Sequence, residues 1–415
     1  MIDFELIDET NIDAVSWDSD PDGDLLRQLF APWVRGGVRR YLDNGAGEAK
    51  LARVGRRLIP LLINHGTANA SGLCSPSAYY VGYARDFVNN AVRSRVLAAF
   101  LNLVLRIFAL LLENRKFNRV IYINHWLLPT APPPRYETDV MHTLKRELAR
   151  YYPGYALVLK GISKPDQSKE AEAPAGFRKL FHRQVYYFDG YDKATAKKKS
   201  VRGTLGKLRR RQYNIARYAN NTGVDSGVSE QKYGYASCSL PSGGNAAGLR
   251  SDMSGRLRSL YRALYIEKHS SLNPDYRAEW FGEIAPQPAL NTRVLERDGV
   301  VDAFACILVL NHRSGVEMIA SVGGYDVSPE SRKAGLYELL QGLMLQSSID
   351  ARARLNLSSG ADGFKRLRGA RPVPEYEGIL ITHLKFHERW RWMLLMYVYN
   401  RLAPAVYRAV DPSVA

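Results

Sequence analysis

Cysteine is scarce in this chain. Cys74, Cys238 and Cys306 are its three cysteines in 415 residues, and no two stand in a Cys-x-x-Cys spacing. That scarcity argues against a structural zinc site and a disulfide framework, and fits a reducing compartment. His65, His125, His142 and His182 show neither HxxxH nor HExxH spacing, so the sequence supports no metal centre. Basic residues are missing from residues 1–24, which carry nine acids. This is the reverse of a signal-peptide start, and a cytoplasmic location is expected. A long uninterrupted apolar run is missing as well. The best stretch, 96–112, contains Asn102 and Arg106 and falls short of the ~20 residues of a bilayer span. It reads as a buried or interfacial helix.

What is present is positive charge. The chain has a formal net charge of +17, with 46% apolar and 24% charged residues, a globular balance. Its length suits two domains. The charge is uneven: residues 193–218 hold ten Lys or Arg and no acid. Such a block is either a solvated face or a footprint for an anionic partner. An acidic carrier protein, coenzyme A phosphates, tRNA and anionic lipid all fit. Tyr213 and Tyr218 are too few for a platform that stacks single-stranded bases.

The last third carries the clearest order. Residues 301–310 and 316–322 are apolar strands, a loop spans 323–335, a helix runs from 336 to about 353, and 354–357 is a short strand. A helix start beyond a strand and loop offers free N–H groups and a positive dipole end to an anion. Residues 120–161 repeat the order: strand 120–124, a proline-rich loop, helix 137–151, strand 155–161. That repetition suits an internal duplication, or two α/β units that share an order by chance. Residues 25–44 and 86–113 read as helices, 57–64 as a strand, 204–219 as a basic helix, and 254–269 as an amphipathic helix. Residues 220–250 are rich in Gly, Asn and Ser and read as turns. Three segments result: 1–184, 185–382, and an amphipathic C-terminal piece, 383–415.

Three features of 185–382 carry a family resemblance. One is the helix–strand–strand–loop–helix order of 254–357. Another is the run Arg332-Lys333-Ala334-Gly335-Leu336-Tyr337, with Arg followed three residues later by Gly. The third is the segment 358–369, with Asp362, Gly363, Phe364 and Lys365, followed by the Pro372-Val373-Pro374 turn. On these the chain resembles the GNAT acyltransferase superfamily, in its FemAB-like branch with two GNAT-like halves. The resemblance implies an α/β (α+β) fold of tandem mixed sheets flanked by helices. It implies acyl transfer to an amine or hydroxyl, without metal, from an acyl-CoA, a phosphopantetheine-bound acyl group on an acyl carrier protein, or an aminoacyl-tRNA. Tyr337 stands where the family pattern has a second Gly or Ala, which bears on pyrophosphate binding.

Acyl transfer needs a donor cradle, a base and donors for the developing oxyanion. Gly323, Gly324, Ser331, Arg332, Lys333 and Gly335 are the cradle candidates. The same residues also suit a plain helix start, with Ser328 as the cap and Pro329 in the first turn. Base candidates are Asp326, Glu338, Asp362, Glu375 and His269. Asp362 would orient an amine, Lys365 would meet an anion, and Tyr376 would protonate a thiolate. A surface ion pair of Asp362 with Lys365 is the plain alternative. Cys74 would need a nearby His and acid to act as a nucleophile. Residues 383–408 mix tryptophans with arginines and suit either docking on the body or an anionic membrane. The expectation is therefore an acyltransferase served by an acidic carrier protein or acyl-CoA. The rivals are an aminoacyl-tRNA-dependent transferase and a non-catalytic module binding nucleic acid or membrane.

Overall fold

The computed structural model describes residues 2–165, 172–211, 213–219, 253–312 and 315–410. The expected turns of 220–250, Cys238 and the side chains of Arg332 and Arg408 lie outside the described residues. The chain divides into two compact units. The first comprises Met1–Arg183, His269–Asp275 and Pro374–Ala415, and the second Gln184–Lys268 and Tyr276–Val373.

The described strands are β1 (Phe4–Ile7), β2 (Glu48–Val54), β3 (Arg57–His65), β4 (Arg119–Ile123), β5 (Ala156–Ser163), β6 (Arg178–Asp189), β7 (Asn214–Arg217), β8 (Arg293–Arg297), β9 (Val300–His312), β10 (Gly315–Tyr325), β11 (Arg354–Asn356) and β12 (Arg371–Leu380). The chain passes from the first unit to the second within β6 and returns within β12.

In the first unit the order is β1-β2-β3-β4-β5-β12. β1 to β4 are antiparallel neighbours, β4 and β5 are parallel, and β12 runs antiparallel to β5. The helix Thr138–Tyr151 connects the parallel pair. Its Val140, Met141, Leu144 and Leu148 are spaced for one face and pack on Ile59, Ile121 and Leu157. A parallel pair needs such a crossover. The segment His269–Asp275 joins this unit through main-chain bonds from Asp43 to Asp275 (2.9 Å) and from Gly72 to Leu272 (2.8 Å).

The second unit repeats the plan as β7-β8-β9-β10-β11-β6. β7 to β10 are antiparallel, β10 and β11 are parallel, and β11 is antiparallel to β6. The helix Leu336–Asp350 connects the parallel pair. Leu336, Leu339, Leu340 and Leu343 pack with Met318, Leu355 and, from the helix Lys199–Arg210, Val201 and Leu205. Each unit is thus a mixed sheet flanked by helices, and the strand–helix–strand repeat at 120–161 and 316–358 is a parallel pair in both.

Several local expectations are corrected. The expected helix 204–219 is a helix, Lys199–Arg210, followed by β7, because Asn214–Arg217 finds an open edge on β8. The expected turn at Pro372–Pro374 opens β12 instead. The prolines precede the ladder to β5, which starts at Glu375 opposite Ser163, so neither has to donate to it. The expected helix 25–44 is three short helices with breaks near Phe30 and Gly37, where Gly37 has φ +76°. The helix expected over 86–113 breaks at 92–94, and Ser94 caps a second helix, Arg95–Leu112, by accepting from Leu97 N–H. Residues 374–382, read with the second half, group with the first unit, since β12 is laddered to β5.

Candidate active site

The second unit has a fork in its sheet. β10 and β11 pair in parallel over three residues, Glu317 with Arg354, Met318 with Leu355 and Ile319 with Asn356. There β11 stops, while β10 continues to Tyr325 against β9. Beyond Ile319, β10 therefore shows a main-chain edge on the β11 side. A bulge falls between Ala320 and Val322, at Ser321. Bulges re-aim the chain beside functional sites. The Ser321 hydroxyl is buried and has no hydrogen-bond partner among the described residues.

The loop after β10 is built around Asp326. Its carboxylate accepts from Ser328 N–H (2.9 Å), the Ser328 hydroxyl (3.2 Å) and the Ser331 hydroxyl (2.9 Å). Burial disfavours its charge. The bonds from Ser328 and Ser331, with Arg256 nearby, outweigh burial and hold the carboxyl below its usual range. Ser328, fixed in place by Asp326, caps the short helix Pro329–Ala334 by accepting from Ser331 N–H (3.3 Å); that helix contains Ser331, Arg332 and Lys333. Lys333 is exposed and Ser331 is buried. Gly335 follows at φ +71°, a conformation glycine takes without strain, and the helix Leu336–Asp350 starts there. Gly323 and Gly324 lie in β10 itself. A Cβ on Gly324 would come within 2.9 Å of Tyr261 N, so the helix Met253–Arg262 seats against bare backbone. Tyr337, at the helix start, packs between Tyr325 and Phe364. Burial, with Tyr265 and Tyr325, raises its hydroxyl so that it stays protonated.

The second arm of the fork ends in a fixed turn. Ser358 (φ +59°), Gly360 (+79°) and Ala361 (+52°) are left-handed. The buried Lys365 ammonium donates to the carbonyls of Leu357 (2.8 Å), Ser358 (3.2 Å) and Ser359 (2.8 Å). Lys365 thereby shapes the end of β11 rather than reaching outward. Asp362 starts the helix Asp362–Leu367 and interacts with the Tyr186 hydroxyl, as does Arg366. Burial pushes that hydroxyl up to about 12, against the Arg366 hydrogen bond and with help from the Asp362 charge. Tyr186 and Arg366 carry no sequence signal of their own, since the fold alone brings residue 186 beside 362. Glu338 is occupied: Lys207 (2.7 Å), Arg368 (2.9 Å) and Thr204 (3.0 Å) all donate to it.

Tyr376, Glu375 and His269 belong to the first unit. Tyr376 meets Phe181 edge-on under the Lys179 ammonium. Glu375 accepts from Arg183 Nε at 2.8 Å. At the matching end of β4 and β5, the proline-rich loop lies on β5. Asn124 donates to the Pro132 and Lys160 carbonyls, and a Cβ on Gly161 would meet the Pro132 carbonyl oxygen at 3.0 Å. Cys74 is buried, and burial pushes its thiol up to about 11, which leaves no thiolate for nucleophilic attack.

On the basic segment, Lys193, Lys197, Lys198, Lys199, Arg202, Arg210 and Arg211 are exposed. Lys207 and Arg209 bond back to Glu338 and Gln346.

No protein-family model matches this sequence, and no curated protein matches it. Solved structures do resemble it. N-myristoyltransferase of Saccharomyces cerevisiae with bound myristoyl-CoA is 9% identical, with TM-score 0.39, over 91% of this chain and 82% of that one. A tandem GNAT protein from the clavulanic acid biosynthesis pathway is 10% identical, with TM-score 0.38, over 91% of this chain and 98% of its own. L-PGS from Bacillus licheniformis is 13% identical, with TM-score 0.36, over 62% and 78%. These likenesses are loose.

Proposed function

We propose that the chain transfers an acyl group from a thioester donor to an amine or hydroxyl acceptor, in one direct step and without a metal. The observation that carries this reading is the fork between β10 and β11, with the Ser321 bulge on one arm and a helix start beyond it. The amide-bearing arm of a pantetheine thioester is itself strand-like, and the edge of β10 after Ile319 matches it. The first-turn N–H groups of Leu336–Asp350 have no partners within the helix and point the positive dipole end at the donor's phosphates. Lys333 adds a charge there.

In the step, the acceptor's lone pair attacks the thioester carbonyl. A C–N or C–O bond forms, the C–S bond breaks, and the proton lost by the acceptor goes to the departing thiolate. Asp362 orients the acceptor. Asp326 and Lys365 act at one remove, by holding the two arms of the fork. The donor is acyl-CoA or an acyl group on phosphopantetheine. The exposed bases of the 193–211 segment favour the form carried on an acidic acyl carrier protein, because opposite charge steers docking.

The test is thiol release by the purified chain. CoA thioesters and carrier-bound thioesters are each offered with a panel of amines and alcohols. Release that depends on acceptor, and that falls in Asp362→Asn, supports the reading. If no donor is bound or turned over while tRNA is bound in a salt-sensitive way, the aminoacyl-tRNA or non-catalytic reading replaces it.

A further inference from the structure

The first unit contains a cleft lined mostly by apolar side chains. Its cavity volume is about 110 Å³, and it opens to solvent. Three helices wall it: Ala84–Ala91 with Phe87, Arg95–Leu112 with Leu101, Leu105 and Phe108, and Phe386–Val410 with Leu402. One side chain in its lining is different. His182, only 8% exposed, belongs to a buried polar group. Its Nδ1 lies 3.4 Å from Glu377 Oε1 without making a hydrogen bond. Glu377 also accepts from Tyr80 (2.7 Å) and pairs with Lys160. The Tyr79 ring stacks on His182 at 4.3 Å. Burial, together with Lys160 and Arg183, drives the imidazole pKa well down, so the ring is neutral and can share a hydrogen bond with an uncharged carbonyl or hydroxyl.

The outside of the same helix is also apolar. Val96, Phe100, Leu103, Ile107 and Leu110 form one stripe, and Val96 and Leu110 are more than four-fifths exposed. Helix Arg95–Leu112 is long and apolar enough to cross a membrane by length and composition, yet its inner face is committed to the cleft. Residues 92–118 carry five bases (Arg93, Arg95, Arg106, Arg115, Lys116) and one acid, Glu113. An apolar stripe with a basic surround matches the surface of an anionic bilayer. The exposed Phe386, Met393 and Tyr397 give the helix Phe386–Val410 a similar stripe.

We propose that this cleft holds the hydrocarbon chain of an anionic membrane lipid, drawn from a bilayer on which the outer stripe of Arg95–Leu112 rests, with an uncharged ester carbonyl of the lipid at His182. The proposal stands apart from the acyl-transfer reading, since it uses no residue of the fork.

The experiment uses the full chain and vesicles of phosphatidylcholine, with or without phosphatidylglycerol bearing a fluorescent parinaroyl chain. Flotation reports membrane binding, and parinaroyl emission that stays with the protein after its separation from the vesicles reports a chain in the cleft. Wild type should favour the anionic vesicles roughly tenfold or more and show the emission. Two cleft-filling variants, Ala403→Trp and Ala84→Phe, should still float but lose the emission. The double change Phe100→Glu with Leu103→Glu should abolish flotation, yet still bind free parinaric acid. Unfolding midpoints select the variants that fold. Emission unchanged in the folded cleft-filling variants would overturn the proposal. So would flotation unchanged in the stripe variant, or equal binding to neutral vesicles. Self-association that covers the stripe and prevents flotation would assign the face to a second copy and overturn it too.

Discussion

Lys365 donates from its buried ammonium to the Leu357 carbonyl at 2.8 Å, at the point where β11 ends. Two further carbonyls converge on the same nitrogen. The lysine is the internal tie of a turn that left-handed residues force open, and the fork between β10 and β11 depends on it.

Lys365→Ala should therefore cost about 2–3 kcal/mol of stability, because buried carbonyls lose a charged donor. Urea unfolding measures this. A loss under about 0.5 kcal/mol, within the range of an ordinary surface substitution, would contradict the tie.

Gly324→Ala should destabilise by about 1–3 kcal/mol, the usual cost of overpacking. The added methyl would meet the Phe304 ring at 2.7 Å and Tyr261 N at 2.9 Å. Thermal unfolding would show it. Gly363→Ala, with open space at its Cβ, is the control and should change little.

Stability should fall as the pH drops from about 6.5 toward 3. His125 is buried, and both ring nitrogens are bonded in the neutral form: Nε2 to the Leu73 carbonyl (2.8 Å), Nδ1 to Leu127 N–H (3.2 Å). Burial and Lys160 hold its pKa down to about 3. An unfolded histidine titrates near 6.5, so between these values the unfolded chain binds the extra proton and stability declines with falling pH. His182 acts in the same direction. Urea midpoints at pH 7, 5.5 and 4.5 should step downward, and His125→Gln should flatten the steps. Parallel profiles for both proteins would contradict the assignment.

Much of the second unit was legible in the sequence. Apolar runs marked β9 and β10, each broken by a single acid (Asp302, Glu317), and Gly, Ser and Pro marked the loop before Leu336–Asp350. β2 was missed because EAKLARV places charges among its apolar residues, and β12 because its prolines read as a turn. β7 was misread because its neighbours are basic and helical, and only pairing with β8 makes it a strand. Glycine spacing pointed to the loop proposed as the donor side. Asp362, proposed on the acceptor side, stood out in the sequence, but its partner Tyr186 did not. The His182, Glu377, Lys160 and Tyr80 group was invisible, since Tyr80 and Glu377 are 297 positions apart and only the first unit's fold joins them.

The basic face gives a kinetic prediction. Changing Lys197, Lys198, Lys199, Arg210 and Arg211 to Gln should slow transfer from a carrier-protein thioester, most strongly at low salt, and leave transfer from acyl-CoA unchanged. Lys207 and Arg209 are left intact because they bond to Glu338 and Gln346. Equal loss with both donors would contradict carrier docking.

Hydrogen–deuterium exchange with and without saturating acyl-CoA tests the central claim most directly. The donor should slow exchange in β10 from residue 320 to 325 and in the first turn of the helix Leu336–Asp350, and leave β4 and β5 unchanged. Protection confined to the first unit, or none at a donor concentration that supports turnover, would contradict the assignment of the fork as the donor site.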